Sequence, residues 1–372
     1  MAFISGPRQV GKTTLGRHLV DSPHNIFNWD DQSFRTSWAR NPTTSLDERS
    51  DGPVLLDEIH KDRRWKQRLK GLYDTQGAEI PIIVTGSARL DLFRRGGDSL
   101  QGRYLPYRLH PLTVGERPRP PAPSMDQLDT SGAAPFPWDD LVALGTFPEP
   151  LLEGHAGRAR RWSRLRKERL VFEDVRDLRQ VRDLQALRVL TDLLPERVGS
   201  VLSINSMRQD VGVAYATVRD WVHMLEALYH CFLIRPFGGR LNRSLKADPK
   251  LYLYDILPLE DDGARRENLA ALHLLKACHY WTDLAYDEFE LRFFRTRDGQ
   301  EVDFVVTRNG HAWLMIECKS GQTRPSPALV RYAEQLGCPH RYQLVDRRGF
   351  DRWFPSGQVR VIDYERFFIG MV

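Results

Sequence analysis

"GPRQVGKTTL" occupies residues 6–15, and its reading decides the fold of the N-terminal segment. Gly6 and Gly11 bracket Pro7, Arg8, Gln9 and Val10, and Lys12, Thr13 and Thr14 follow. A short apolar strand, AFIS, leads in, and a helix-compatible stretch leads out. Gly-x-x-x-x-Gly-Lys-Thr in that setting has the spacing of a phosphate-binding P-loop. Its glycines let backbone N–H groups wrap phosphate oxygens, and the emerging helix N-terminus adds its dipole. Lys12 is expected at the β and γ phosphates, with the Thr13 hydroxyl on Mg²⁺.

Two further strands support the loop. PVLLDEIH (53–60) puts Asp57 and Glu58 at the end of a buried strand. There Asp57 would hold Mg²⁺ through water and Glu58 would polarise the attacking water. IIVTGSARL (82–90) ends in Thr85 and Ser87, placed either to sense a γ-phosphate or simply to turn from strand to loop. Short β-branched or aliphatic runs alternate with helical stretches through about residue 112, which argues for a parallel α/β sheet. The segment is expected to bind ATP or GTP and to act as an ATPase, with ATP and Mg²⁺ as cofactors.

The totals bound the rest. A chain of 372 residues exceeds one ordinary core, so two or three domains are expected. Apolar content of 41% and charge of 28% exclude a disordered chain. A net charge of +5 and pI near 9.0 are compatible with nucleic acid without requiring it. No apolar run is long enough to span a membrane, and MAFISGPRQ lacks the charged start of a signal peptide. Cys231, Cys278, Cys318 and Cys338 have neither disulfide-frame nor zinc spacing and read as thiols in a reducing cytoplasm.

Residues 117–137, dense in Pro, Ser and Gly, read as a linker or surface insertion that buries no core. A helical stretch follows from Trp138. In it Arg158, Arg160, Arg161, Arg164, Arg166, Lys167 and Arg169 crowd around one acid, Glu168. Three readings stand equally: a helix along a nucleic-acid backbone, a solvated face, or the carrier of an arginine that touches nucleotide across a subunit boundary. Residues 204–239 show a helix, a turn at Gly212 and a second helix from Tyr215, with a strand pair after it expected as a wing. In a DNA reader Thr217 and Arg219 would face bases or phosphates. The alternative is a rigid spacer or protein-docking module.

"GQEVDFVVTRNGHAWLMIECKSG" (299–321) holds a second chemistry. Asp303 lies in one strand, Asn309–Gly310 turns, and Glu317 and Lys319 share one face of the next. Two carboxylates, Asp303 and Glu317, could hold Mg²⁺ while Lys319 orients or activates a water against a phosphodiester. Glu267, on the preceding helix, would complete the acidic cluster. The plain alternative is a half-exposed hairpin with alternating charge.

Together these stretches resemble the prokaryotic AAA-type ATPases that carry a C-terminal DUF4143 domain. The resemblance runs through GPRQVGKTTL, LLDEIHK, IIVTGSARLDLF, LQGRYLPYRLHPLT, FEDVRDL, GVAYATVRDWVHMLEALY, KADPKLYLYD, EVDFVV and IECK. It implies a multidomain α/β protein: an AAA-like P-loop NTPase core with a parallel sheet (1–116), the Pro-rich insertion (117–137), a helical lid (138–197), a winged helix (198–256) and a restriction-endonuclease-like PD-(D/E)xK domain (257–372). By that similarity Glu267, Asp303, Glu317 and Lys319 match the nuclease motif, and Arg103 is a nucleotide-sensing arginine. Family members usually carry further residues before the first strand, whereas here only five residues precede Gly6, and they carry a shorter insertion than 117–137.

The preferred expectation is an ATPase coupling nucleotide binding and hydrolysis to DNA binding and Mg²⁺-dependent cleavage. The alternative is an ATP-driven switch or assembly factor whose nuclease-like domain binds nucleic acid or a protein without cutting. A third reading is a DNA-binding regulator with a vestigial ATPase. By analogy with ring-forming ATPases, self-association is expected.

Overall fold

Five short parallel strands carry the phosphate loop: β1 (Ala2–Ser5), β2 (Ile26–Asn28), β3 (Val54–Asp57), β4 (Ile82–Thr85) and β5 (Leu105–Arg108), in the order β2-β3-β4-β1-β5. The structure, a computed structural model, describes residues 1–76, 80–86, 100, 102–116, 118, 122–126, 128–170, 175, 181, 183–238 and 248–372. Strand alternation sorts the apolar residues onto two faces. Val54 and Leu56 pack with Phe34, Trp38, Trp65 and Leu69, which come from α2 (Gln32–Arg40) and α3 (Trp65–Gln76). Leu55, Ile4 and Ile83 make the opposite face, where α1 (Lys12–His18) lies. Asp31 caps α2 by accepting from the Ser33 N–H at 2.8 Å. The register pairs Asn28 with Asp57 and Asp57 with Thr85, so three polar residues form a row at the carboxyl edge, where the loop also emerges.

The chain divides into two compact units, Met1–His110 with Ala227–Tyr229, and Pro111–Glu226 with His230–Val372. The second begins with helices: α4 (Trp138–Leu144), α5 (Pro148–Glu153), α6 (Ala156–Arg169), α7 (Leu184–Leu193), α8 (Ile204–Val211) and α9 (Tyr215–Ala227). Gly212, at φ 76°, makes the turn between α8 and α9.

An eight-stranded mixed sheet dominates the second unit, in the order β12-β13-β11-β10-β9-β8-β6-β7. Its strands are β6 (Cys231–Pro236), β7 (Lys250–Leu253), β8 (Phe289–Arg295), β9 (Glu301–Arg308), β10 (His311–Lys319), β11 (His340–Val345), β12 (Asp351–Phe354) and β13 (Val359–Asp363). Three helices accompany it: α10 (Asp262–Asp283), α11 (Pro327–Gln335) and α12 (Tyr364–Ile369). Asn309 and Gly310 both take positive φ, 51° and 80°, as a tight right-twisted hairpin turn between β9 and β10 requires.

Two expectations change here. The strand pair after α9 is no free wing, because β6 joins β8 through Arg235 and Pro236 and so extends the C-terminal sheet. The boundary expected at residues 256/257 therefore falls inside one sheet. Nor is the Pro-rich segment only a linker. Met125 and Leu128 are buried, the Met125 carbonyl accepts from the Tyr342 hydroxyl at 3.2 Å, and Leu128 lies against Gly370. Two apolar side chains suffice to anchor a segment whose average composition is polar. The four cysteines are free thiols. Among the described residues no helix is long and apolar enough to cross a membrane.

Candidate functional site

Gly6, Gln9 and Gly11 all have positive φ, 150°, 63° and 100°, which folds the loop into a concavity lined by backbone N–H groups. Gly6 admits no substitute: a Cβ there would sit 2.2 Å from the Leu109 carbonyl oxygen. Lys12 is buried and its ammonium donates to the carbonyls of Gly6 (3.0 Å) and Pro7 (2.6 Å), which keeps the charge at the loop.

The polar row at the carboxyl edge converges on Asp57. Its Oδ1 accepts from Thr85 Oγ1 at 2.5 Å, its Oδ2 from Asn28 Nδ2 at 2.9 Å, and both oxygens lie 3.1 Å from Thr13 Oγ1. The next residue, Glu58, takes a left-handed conformation at φ 57°, just where the strand ends. Glu58 Oε2 lies 3.5 Å from His60 Nε2 and 3.8 Å from Lys61 Nζ, and Lys61 is itself paired with Asp30 at 2.8 Å. Burial pushes the Glu58 carboxyl above its usual value against the pull of Lys61. A carboxylate so raised is better matched to accepting a proton near neutral pH.

Ser87 lies outside the described residues. Arg103 is not brought to the loop of its own chain. It precedes β5, which runs parallel to β1 with Ser5 opposite Arg108, so it sits at the amino edge of the sheet. Five residues of strand, roughly 16 Å, separate that edge from the loop, beyond the reach of one side chain. Its guanidinium is paired with Asp74 of α3 at 2.9 Å.

In the second unit the hairpin sets two carboxylates face to face. After a register shift between Ala312 and Leu314, Met315 pairs with Val305 and Ile316 with Phe304, and Glu317 and Asp303 are the next residues along the two strands. Asp303 Oδ2 accepts the Cys318 N–H at 2.8 Å, and Glu317 Oε1 pairs with Lys319 at 2.6 Å. Glu317 is 4% exposed, and its Oε2 is buried with no hydrogen-bond partner. Glu267 reaches in from α10, with Oε1 accepting from Tyr252 Oη at 2.8 Å. Gly199, at φ 72°, passes close to it, and a Cβ there would stand 3.0 Å from Glu267 Oε1. Burial first, and the charge of Asp303 second, push Glu267 and Glu317 up to about 7. Burial likewise raises Asp303, against the pull of Lys250.

Like charges opposed across a rung destabilise a sheet unless a cation stands between them. The orphaned Glu317 oxygen and the Asp303–Glu317 pair fit a divalent ion, which commonly takes one or two carboxylates and completes its shell with water. Among the described residues, no three His, Cys, Asp or Glu side chains converge on one metal position.

Of the residues expected to face DNA, Thr217 is half-buried, while exposed Arg219 donates to Asp220 Oδ1 at 3.0 and 2.8 Å. The basic helix α6 is sorted by its neighbours. Arg158 pairs with Glu153, Lys167 with Asp192 at 2.6 Å, and Arg166 is buried 4.3 Å over the Phe147 ring. Arg160, Arg161 and Arg164 stay exposed along one face.

Residues 1–117 match the AAA domain family. Residues 136–257 match the domain of unknown function DUF8612, and residues 262–358 the domain of unknown function DUF4143. An uncharacterized protein of Mycobacterium tuberculosis is 23% identical over 370 residues, covering 93% of this chain and 78% of its own. Among solved structures, Aeropyrum pernix ORC1 in complex with DNA has a TM-score of 0.30 at 14% identity, over 73% of this chain and 86% of its own. The Thermotoga maritima RuvB Holliday junction branch migration motor has a TM-score of 0.29 at 15% identity, over 66% and 87%.

Sequence reading missed Asn28, Tyr252 and Lys250. Asn28 ends a three-residue strand and carries no motif; only the β2–β3 register puts it on Asp57. Asn28→Ala should lower the ATP turnover number by roughly 10-fold with nucleotide affinity nearly unchanged, the cost of one hydrogen bond to a charged group. Steady-state ATPase kinetics beside a nucleotide titration checks this, and unchanged turnover would remove Asn28 from the site.

The opposed carboxylates also set a pH dependence. The folded pKa values of Glu267 and Glu317, near 7, lie above the ordinary 4.5, so the folded chain holds these two protons more tightly than the unfolded chain. Stability therefore falls as pH rises from about 4.5 to 7 and levels off above, by at most about 3 kcal/mol per carboxyl. Metal-free protein should melt higher at pH 5.5 than at pH 7.5, and Glu317→Gln should flatten that slope. A variant that keeps the wild-type slope in calorimetry would show that Glu317 does not cause it.

Proposed function

We propose that the chain is an ATPase that couples nucleotide binding and hydrolysis to DNA binding and to metal-dependent phosphodiester cleavage. In the AAA domain, the loop of Gly6–Thr14 binds the phosphates. Asp57, held by Thr85 and Asn28, and the Thr13 hydroxyl are the groups for Mg²⁺. Glu58 accepts the proton of the attacking water, as its burial and raised pKa favour.

The observation that carries the second activity is the buried, unpartnered Glu317 oxygen opposite Asp303, with the Lys319 ammonium alongside. Asp303 and Glu317 would hold a divalent ion, which when bound supplies positive charge at the scissile phosphate and a more acidic water. Lys319, about a third exposed, orients that water or a phosphate oxygen. The exposed arginines of α6 and the start of α9 supply cationic contacts to a backbone.

The test is a cleavage assay on single- and double-stranded DNA and RNA, with Mg²⁺, Mn²⁺ or EDTA and with or without ATP. Cleavage is expected in either metal and none in EDTA, with the ATP response lost in Lys12→Ala. Wild-type protein that hydrolyses ATP but cuts nothing in either metal would replace this reading with the switch.

A further inference from the structure

Two lysines serve the carboxylate cluster, and they are not alike. Lys319 stands at the rim. Lys250, on β7, is 1% exposed, ion-paired with Glu301 and 5.4 Å from the Phe293 ring centroid. Burial works against its charge, yet the carboxylates of Glu267, Asp303 and Glu301 outweigh burial and hold its pKa above the ordinary value. The ammonium is thus a fixed charge inside the cluster.

The acceptors divide around it. Glu301 is engaged by Lys250 and, from the exposed rim, by Arg295 at 3.5 Å. Glu267 is bonded to Tyr252 and lies in the field of Lys250. Glu317 Oε2, on the hairpin side, is the buried oxygen with no partner. Glu301 is thus held by two cations and Glu267 by a hydroxyl, which leaves Asp303 and Glu317, beside Lys319, as the pair open to a divalent ion.

We propose that Lys250 is a resident cation of this cluster: it keeps Glu267 and Glu301 out of the metal shell, so that the site takes one divalent ion, on Asp303 and Glu317, and not two. The inference rests on the metal-dependent reading above and assigns Lys250 a positioning role.

Mn²⁺ binding to the full chain, followed by the paramagnetic resonance of the free ion, tests it without reference to activity. Nucleotide is omitted, and Asp57→Asn removes the AAA-domain carboxylate from the count. One Mn²⁺ per chain is expected. Asp303→Asn should weaken it about 10-fold or more, while Glu267→Gln, which keeps the side-chain shape, should change affinity less than about 3-fold. Lys250→Met should admit a second Mn²⁺. If Lys250→Met does not fold, Glu267→Gln still decides. Two ions bound to the otherwise unaltered cluster, or loss of the ion in Glu267→Gln as in Asp303→Asn, would overturn the proposal and leave the metal-dependent reading standing. No Mn²⁺ bound at all would overturn both.

Discussion

Glu58→Gln should reduce ATP turnover by about 10³-fold while leaving ATP affinity within a few-fold of wild type. The amide has the shape of the carboxylate, so β3 and the left-handed turn at residue 58 are undisturbed. What disappears is a basic oxygen, one whose burial already raises its affinity for a proton. In the proposed function nucleotide affinity resides elsewhere, in the loop N–H groups, Lys12 and Thr13. Lys12→Ala should behave differently and lose affinity and turnover together, because its ammonium serves both the ground state and the transition state. Single-turnover hydrolysis beside equilibrium binding of a fluorescent ATP analogue separates the two. If Glu58→Gln keeps more than about a tenth of wild-type turnover, Glu58 is not the proton acceptor.

Asp303→Asn should abolish metal-dependent cleavage, by about 10³-fold or more, with ATP hydrolysis intact. The variant preserves the fold for a specific reason. An asparagine Oδ1 can still accept the Cys318 N–H that Asp303 Oδ2 accepts at 2.8 Å, so the β9–β10 register keeps its side-chain tie. Removing one of two opposed carboxylates also relieves the repulsion that raises Glu317. The metal-free variant should therefore be at least as stable as wild type at pH 8, which separates lost chemistry from lost folding. Cleavage that survives in Asp303→Asn, in protein free of contaminating nuclease, would place the reaction elsewhere.

Much of the two sites is legible in the amino-acid sequence. Gly6-x-x-x-x-Gly11-Lys12-Thr13 states its own backbone, since the glycines occupy positions where a side chain would be strained or would strike Leu109. Val54–Asp57 advertises a buried strand that ends in an acid, and Asn309–Gly310 advertises a hairpin turn, although the pairing that brings Glu317 to Asp303 also needs the register shift between Ala312 and Leu314. All three depend on residues close in sequence, where spacing translates directly into geometry.

What local pattern could not supply was the partner across a sheet. Asn28 reaches Asp57 over 29 residues. Lys250 and Tyr252 reach Glu301 and Glu267 because β7 and α10 pack into one unit. Arg103 looks like a sensor in sequence, yet parallel strand register carries it to the far edge of its own sheet. The strands after α9 resemble a wing until β6 finds β8, and Met125 and Leu128 anchor a segment whose composition suggests solvent. The amino-acid sequence by itself determined the phosphate loop, the strand that bears Asp57 and Glu58, and the hairpin turn at Asn309–Gly310; the register shift that opposes the two carboxylates did not come from it. Tertiary structure alone decided which distant lysine, tyrosine and asparagine complete those sites, because burial and strand order set those contacts and neither is written in any single stretch of chain.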